Sequence, residues 1–456
     1  MRTRLTWFVA ILALVSIGYL MACTAKYSAS FDGLVVVPSQ GELAMESFTF
    51  DVSNGRISQI SNVNGPPTPG LPTAVVLDPA GAFAYVLVAA NPAVPGGGVT
   101  AIATFPVAPD GKLANSTTYA FNNASVQVLV QVSGVPTIKT ESVPVVPVAM
   151  SMDSVGKLLF VADSATSDNA GNPVPGAISV FSIGSNASLA EVAGSPFVLP
   201  VGGVNLLPPL LQNPCSVLVG CPSPLALAVT PTVYPQLNAY CSGFTPPTTE
   251  NLYVPDSIGD TLLNYSVSSS GNLTLVSTQT NLGVLTGAVP DGVTVDPCNR
   301  FVYVSNAGPG NNANTISAFT ICSTVSPPNC PSTPPDFRLL PVNDGLPFPV
   351  SPGEGPGPLS MDAYGSFLYV VDTASGLVSQ FKISPTSGSL TPLTPPYVGA
   401  GVGANSIAIR SDDSWVFVAD KTNATLSEYG INLATGNLAA QPAVQTFNYP
   451  TGVAVK

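Results

Sequence analysis

Five acidic or amide side chains end five short apolar runs, and their type and spacing could support chemistry. The last residue of each run is polar: Asp163 in LLFVAD, Asp256 in NLYVPD, Asn306 in FVYVSN, Asp372 in FLYVVD and Asp420 in WVFVAD. Carboxylate and amide oxygens are ligands that hard divalent cations prefer, so the set could hold a cation or a cationic ligand. The same residue types also hydrogen-bond their own turns. The sequence leaves both interpretations open.

Other chemical groups are scarce. The chain contains no histidine, which removes the most common general base and metal ligand. The arginines beyond the N-terminal segment are Arg56, Arg300, Arg338 and Arg410, and no motif assigns any of them to a catalytic position. The net charge is −12, so nothing basic attracts a phosphate backbone, and we expect no nucleic-acid partner.

The apolar runs belong to a repeat. Three stretches superpose without gaps: PVAMSMDSVGKLLFVADS (147–164), PDGVTVDPCNRFVYVSNA (290–307) and PGPLSMDAYGSFLYVVDT (356–373). Each predicts two strands around a tight turn, with Asp first and Gly last in the first and third stretches. A third segment follows, ending in an aromatic residue, any residue and then Val or Ile, as in ISVFSI (178–183). A further turn and a leucine then predict a fourth strand.

The units have a constant phase and one of them is split between the ends of the chain. We mark each unit by the residue six positions before its first turn position and call it the phase residue. The phase residues are Pro72, Pro147, Pro224, Pro290, Pro356, Ala404 and Pro450. The shortest units span about 46 residues, the size of a four-stranded propeller blade. The segment PTGVAVK (450–456) supplies only a first strand, whereas residues 33–60 supply strands two to four. The sequence therefore predicts an all-β, seven-bladed propeller of four-stranded antiparallel blades, closed by its terminal strands.

This pattern resembles the lactonase-like, or YVTN-repeat, family of seven-bladed β-propellers, whose second strand typically reads Tyr-Val-x-Asn. LYVPDS, VYVSNA and LYVVDT carry the likeness, which extends over nearly all of residues 31–456. The family includes sugar-lactone hydrolases that place histidine and basic residues at the channel mouth. No histidine is available here for that role. The fold also hosts many functions, so the resemblance implies fold more strongly than activity.

The propeller geometry places the five polar strand ends on one face. Ser39 and Val88 take the same position in the other two blades, and nearby loops contribute Asp168, Asp260, Asp291 and Glu354. We therefore predict a ligand-binding face with an acidic mouth around Asp163, Asp256, Asn306, Asp372 and Asp420.

The N-terminal residues predict export. Arg2 and Arg4 precede an apolar run that ends in LMAC, which reads as a signal peptide over 1–22 with Cys23 as a lipidated first residue. An ordinary secretory signal or a membrane anchor is the alternative. Residues 23–30 then form a short tether, and 31–456 a single propeller domain. This organisation predicts a lipid-anchored protein of the bacterial cell envelope, on the periplasmic or outer-membrane side.

The six remaining cysteines predict disulfides, because their number is even in an exported chain. Local spacing pairs Cys215 with Cys221 and Cys322 with Cys330, and the alignment of adjacent blades pairs Cys241 with Cys298. A zinc site is disfavoured because there is no paired CxxC and no histidine.

These observations favour a binding or scaffolding module in the envelope. Its partner would be an envelope protein, a glycan or a small molecule, and we expect a monomer. The alternative is a lactonase-like hydrolase, similar to 6-phosphogluconolactonase, acting on a sugar lactone. A redox or metal-centred propeller is a third option without a ligand cluster to support it. No cofactor is assigned with certainty, although a divalent cation could bind.

Overall fold

The computed structural model describes residues 33–60, 65–91, 99–132, 135–168, 170–201, 221–231, 250–276, 283–309, 312–322, 330 and 337–456. Seven antiparallel sheets are arranged as a β-propeller, so the predicted fold class is confirmed. We number the blades I to VII along the chain, and the strands of each blade 1 to 4 from the axis outwards. Signal residues 1–22, the tether and Cys23 lie outside the described residues.

Blades I to III come first. Blade I contains Ala454–Val455, Gly33–Ser39, Ala44–Asp51 and Arg56–Gln59. Blade II contains Leu71–Leu77, Phe83–Ala89, Ala101–Pro106 and Thr117–Ala120. Blade III contains Pro147–Met152, Leu158–Asp163, Ala177–Ile183 and a fourth strand in two pieces, Leu189–Glu191 and Phe197–Val198.

Blades IV to VII follow the same plan. Blade IV contains Ala228–Val229, Glu250–Asp256, Thr261–Val267, Leu273–Leu275 and Val284–Leu285. Blade V contains Pro290–Val295, Phe301–Asn306, Thr315–Ile321, Leu339–Pro341 and Phe348–Pro349. Blade VI contains Pro356–Met361, Phe367–Asp372, Leu377–Ile383 and Leu390–Gly399. Blade VII contains Ala404–Ile409, Trp415–Asp420, Thr425–Ile431, Leu438–Ala440 and Val444–Gln445.

A few elements lie outside the blades. They are the hairpin of Ala124–Val132 with Val135–Val143, the hairpin of Thr166–Ser167 with Pro173–Val174, and the 3-10 turns Ser185–Ala187 and Asn343–Gly345. Within the described part of the chain, no helix is long and apolar enough to cross a membrane.

Blade I is closed by the two ends of the described chain. Val35 pairs with Val455 and Val36 with Ala454 in antiparallel register, and the backbone groups of Leu34 and Lys456 exchange hydrogen bonds at 3.1 and 2.9 Å. The edge of strand 2 that would otherwise be open is therefore covered. The predicted closure of the ring is confirmed.

Apolar cores lie between neighbouring blades. An aromatic residue three positions before the end of strand 2 is buried in most blades, for example Tyr303 and Tyr369, each 0% exposed. The Tyr303 hydroxyl donates to the Gly388 carbonyl of the next blade at 2.9 Å, and the Tyr369 hydroxyl to the Gly436 carbonyl at 2.7 Å. Each bond satisfies a buried hydroxyl, so the two bonds fix blade V against blade VI and blade VI against blade VII.

The two faces of the ring carry different connections. The upper face carries the loops from strand 2 to strand 3 and from strand 4 to strand 1 of the next blade, and the lower face carries the other turns. On the upper face a backbone bond recurs, from the N–H after strand 2 to the carbonyl before strand 1. It joins Ser164 to Val146, Ser257 to Ser223, Ala307 to Val289, Thr373 to Gly355, Lys421 to Gly403 and Gln40 to Tyr449.

One predicted disulfide is fully described. Cys322 is bonded to Cys330 with their Cα atoms 5.5 Å apart, which confirms that pair. Cys221 and Cys298 are also disulfide-bonded. Cys215 and Cys241 lie outside the described residues, so their pairing with Cys221 and Cys298 stays a prediction.

Candidate functional site

The five polar strand ends of the upper face are buried within their own blades. Their exposed fractions are 1% for Asp163, 6% for Asp256 and 0% for Asn306, Asp372 and Asp420. Ser179 donates to Asp163 at 2.7 Å and Ser379 to Asp372 at 2.6 Å, in both cases from strand 3 of the same blade. These five groups stand at equivalent positions, and the structure does not bring their side chains together.

Asn306 donates to Ser317 Oγ in strand 3 of its blade at 3.1 Å, and the other two members bond to turns. Asp420 accepts the N–H groups of Thr422 and Asn423 at 3.0 and 3.1 Å. Asp256 accepts the N–H groups of Ser223 and Ile258 at 2.8 and 3.1 Å. This geometry is what the turn-bonding interpretation of the sequence expects. Ligand binding by these side chains stays a prediction.

Burial changes the charge of two of these carboxyls. It raises the pKa of Asp163 to about 8 and that of Asp372 to about 7, in each case against the opposing effect of the serine hydroxyl. One carboxyl oxygen of each, Oδ1, is buried without a hydrogen-bond partner among the described residues. Desolvation therefore favours the neutral acid at both positions.

We expect Asp372→Asn to stabilise the protein at pH 8 by about 1–3 kcal/mol and to change little at pH 5. The raised pKa of Asp372 means that its stabilising contribution is complete below the unfolded pKa, near 4, and is lost as pH rises through about 7. Asparagine already occupies this position in blade V, as Asn306. Urea unfolding at both pH values measures the effect, and exposed Asp344→Asn is the control. Equal midpoints for wild type and Asp372→Asn at pH 8 would contradict it.

The four additional acidic residues fall at separate places on the upper face. Asp168 accepts the N–H groups of Ala170 and Asn172 within its hairpin, and Asp260 accepts the Val289 N–H at 2.8 Å. Glu354 is exposed. Among the described residues no group of three or more Asp, Glu or Cys side chains is placed to hold a metal ion, and the divalent cation stays a prediction.

A cavity of about 610 Å³ opens on the lower face at the propeller axis. Its wall is formed by strand 1 and the following turn of blades III to VII. The polar side chains of this axial cavity are Ser151, Thr294, Ser360, Tyr364, Arg410, Ser411 and Asp413. A second hollow of about 700 Å³ lies between the outer strands of blades I and II, away from the axis. Ligands bind preferentially where a few polar groups converge on a concave apolar wall, which favours the axial cavity.

Arg410 departs from the blade repeat. Its N–H closes the turn by bonding to the Trp415 carbonyl at 2.9 Å, the position that Asp78, Asp153, Asp296 and Asp362 hold in four other blades. Those aspartates also accept turn N–H groups, as Asp362 does from Ser366 at 2.7 Å. A guanidinium has no acceptor. Asp412 accepts the Ser414 N–H instead and pairs with Arg410 Nη1, so a cation takes the place of a carboxylate at the cavity wall.

Asp413 is the carboxyl of the same turn. It is 1% exposed, and its Oδ1 accepts the Ala363 N–H of blade VI at 2.8 Å. Oδ2 is buried without a hydrogen bond to any described residue. Burial, together with the negative charges of Asp362 and Asp412, raises the pKa of Asp413 to about 7. The carboxyl is therefore close to half-ionised at neutral pH.

The sequence reasoning missed this pair. A break in the repeat could have pointed to Arg410 and Asp413. The residue six positions after the phase residue is aspartate in four blades, but it is Arg410 in blade VII. Sequence comparisons do not add a function. No protein-family model and no curated protein matches the chain.

Solved structures do match. A putative 6-phosphogluconolactonase from Bacteroides fragilis superposes with a TM-score of 0.62 at 16% identity, over 94% of this chain and 99% of its own. The periplasmic gluconolactonase of Pseudomonas aeruginosa gives 0.58 at 15%, over 93% and 98%. A putative 6-phosphogluconolactonase from Bacteroides uniformis gives 0.61 at 15%, over 93% and 99%. The likeness is one of fold. These propellers and this chain share the architecture along nearly their whole lengths.

Proposed function

We propose that the chain is a hydrolase that opens a sugar lactone in the axial cavity. The observation that carries this proposal is the replacement of a turn aspartate by Arg410 beside Asp413 on the cavity wall. Ester hydrolysis needs a base that activates water and a positive site for the developing oxyanion. The descriptions of the structural neighbours as gluconolactonases and putative 6-phosphogluconolactonases support this reaction class over the binding role favoured by the sequence.

The two residues have complementary roles in the proposed reaction. Asp413 Oδ2 is closed to solvent in this structure, so the turn that carries it has to open before the ionised carboxylate takes a proton from water. The oxygen of that water bonds to the lactone carbonyl carbon. Arg410 stabilises the negative oxygen of the tetrahedral intermediate. The ring C–O bond then breaks, and the proton on Asp413 passes to the leaving alkoxide, giving a hydroxy acid and restoring the carboxylate. Ser151 and Ser360 line the same cavity, and their hydroxyls would orient the hydroxyls of the substrate.

A hydrolysis assay tests the proposal. Wild-type protein should open an uncharged aldonolactone, measured by acid release in a pH-stat, and Arg410→Met should lower kcat by about a hundredfold or more. The control is Arg56→Met, which removes an exposed arginine from strand 4 of blade I. No turnover above buffer by the wild type, or equal rates for the two variants, would refute the assignment.

Export and lipid attachment are part of the proposal. The apolar segment before Cys23 supports a lipoprotein signal, and the Cys322–Cys330 disulfide supports an oxidising compartment. The periplasmic location in the description of the Pseudomonas aeruginosa neighbour is consistent with the same compartment. We propose residues 31–456 as one propeller domain held at the envelope.

A further inference from the structure

Equivalent four-residue turns join strand 1 to strand 2 on the lower face of the ring. The fourth residue of each turn donates its N–H to the carbonyl of the first and has a positive φ. That residue is Gly81 in blade II, Gly156 in blade III, Asn299 in blade V, Gly365 in blade VI and Asp413 in blade VII. Glycine suits this conformation best. Blade VII therefore places a carboxyl group where three other blades have no side chain.

The fourth residue of a turn points at the first residue of the turn in the preceding blade. A Cβ on Gly365 of blade VI would lie 2.1 Å from Asp296 Oδ1 in blade V. Blade VII repeats this arrangement with a side chain in place, because Asp413 Oδ1 accepts the N–H of Ala363, the residue after Asp362, at 2.8 Å. The carboxyl groups of Asp362 and Asp413 therefore face each other across the boundary between blades VI and VII.

Both carboxyls of this pair are shut off from solvent. The exposed fraction is 2% for Asp362 and 1% for Asp413, so water screens the interaction of their charges only weakly. Burial raises the pKa of Asp362 to about 6 and that of Asp413 to about 7. Asp362 is therefore the first to ionise as pH rises, and Asp413 then loses its proton beside a negative charge.

Three other groups act on Asp413, and their effects are smaller. Asp412 lies on the same turn, but it pairs with Arg410 and 43% of its side chain is exposed, so the guanidinium and water offset its charge. Tyr369 of blade VI is neutral, because burial raises its pKa and its hydroxyl donates to the Gly436 carbonyl at 2.7 Å. The buried carboxylate of Asp362 is the charge that opposes ionisation of Asp413 most strongly.

Asp362 itself is held in a fixed position. Its Oδ1 accepts the N–H groups of Ser366 and Phe367, each at 2.7 Å, and these bonds favour its ionised form. On the side away from Asp413 it faces Asp296 and Arg300 of blade V, which pair with each other at 2.7 Å. Because the two opposite charges largely cancel, the charge of Asp362 acts mainly on Asp413.

We propose that Asp362 is a positioning residue for the reaction in the axial cavity: its negative charge holds the proton on Asp413 until the solution approaches neutral pH. Asp362 is not among the described residues that line the cavity, so it acts through Asp413. The role rests on the proposed function, since it sets the pH range in which Asp413 can activate water. Lactone opening then responds to pH in a range where an isolated aspartate, with a pKa near 4, is already ionised.

The first test removes one charge of the pair. Asp362→Asn keeps an oxygen that can accept the N–H groups of Ser366 and Phe367. We expect the rise of kcat/KM with pH to move to lower pH by about half a unit or more, which increases kcat/KM at pH 5.5 about threefold. A purely structural role would instead lower kcat/KM at every pH, so a gain of activity in acid is specific to the proposed role.

Asp78→Asn is the matched control for this substitution. Asp78 is the first residue of the same turn in blade II and accepts the Phe83 N–H at 2.8 Å. The fourth turn residue of the next blade is Gly156, where a Cβ would meet Pro79 and no carboxylate. The control variant should therefore leave the pH dependence of kcat/KM unchanged.

A second measurement follows the proton without the reaction. In protein labelled with ¹³C at the aspartate side-chain carboxyl carbons, the resonance missing from Asp413→Asn is assigned to Asp413. Its titration midpoint should fall by about half a unit or more in Asp362→Asn. Because the coupling is reciprocal, the Asp362 midpoint should fall equally in Asp413→Asn. This second arm remains available if Asp362→Asn does not fold.

The outcomes distinguish this inference from the proposed function. Shifted ¹³C midpoints without lactone turnover would refute lactone opening and confirm that Asp362 controls the proton on Asp413. Turnover with an unshifted Asp413 midpoint would keep the hydrolase and overturn the role of Asp362. An equal shift of the kcat/KM profile in Asp78→Asn would also overturn it, because that turn faces no second carboxyl.

Discussion

Asp413→Asn is expected to lower kcat/KM for lactone opening by roughly a hundred- to a thousandfold, the usual contribution of a general base. Asparagine keeps the shape of the side chain, tolerates the positive φ of 57° at this position and can still accept the Ala363 N–H. The variant loses only the ability to take a proton from water. Steady-state rates measure the effect.

The pH profile separates this role from a structural one. With a pKa raised to about 7, Asp413 ionises as pH rises, so wild-type kcat/KM should increase through about pH 7 and level off above it. Folding responds in the opposite sense: the stabilising contribution of the neutral acid is lost over the same range. Asp413→Asn should therefore be at least as stable as wild type at pH 8, and its residual activity should lack that pH step. An active Asp413→Asn would remove Asp413 from the mechanism, and Asp110→Asn on the exposed rim of blade II is the control.

Removal of residues 450–456 is expected to lower the free energy of unfolding by on the order of 5 kcal/mol. Val453 and Ala454 are 5% and 8% exposed, and burial of an aliphatic side chain contributes roughly 2 kcal/mol. The truncation also breaks the bonds between Leu34 and Lys456, each worth about 1 kcal/mol. Urea unfolding monitored by tryptophan fluorescence suits this test, because Trp415 packs against Phe50 of blade I with ring centroids 5.3 Å apart.

A control variant isolates the strand from the terminal side chain. Lys456→Ala keeps the backbone pairing of blade I and should shift the unfolding midpoint little. If the truncated chain unfolded at the wild-type urea concentration, the terminal strand would not be a stabilising part of the ring.

The fold could be predicted because the signals are local and repeated. The phase residue, the buried aromatic position occupied by Tyr303 and Tyr369, and the polar end of strand 2 recur with the same offsets in successive blades. Even the closing strand was readable, since PTGVAVK aligns with strand 1 of the other blades. Each of these features depends on the alternation of side chains within one hairpin, which a linear sequence displays directly.

The site was harder to predict because it depends on contacts between blades. Asp413 owes its raised pKa to burial and to the charge of Asp362 in the neighbouring blade, and its bond to Ala363 spans 50 residues of sequence. Asp163 and Asp372 were visible as polar strand ends, but their burial follows from loops that cover them. Gly353 shows this: a Cβ there would lie 2.3 Å from Asp372 Oδ2.

Because blade I takes strands from both ends of the described chain, its assembly determines when in folding the ring closes. The hairpins of blades II to VII join near neighbours in sequence, whereas the Thr451 hydroxyl that bonds to the Pro38 carbonyl is separated from it by 413 residues. Doubling the length of such a loop adds only about 0.6 kcal/mol to its closure, so the distance hardly weakens the finished ring. The long separation in sequence does delay closure of the ring, since non-local pairing forms late in folding. Until the last strand arrives, strand 2 of blade I offers its free edge to any other extended chain, and the interval of greatest risk for aggregation is the end of folding.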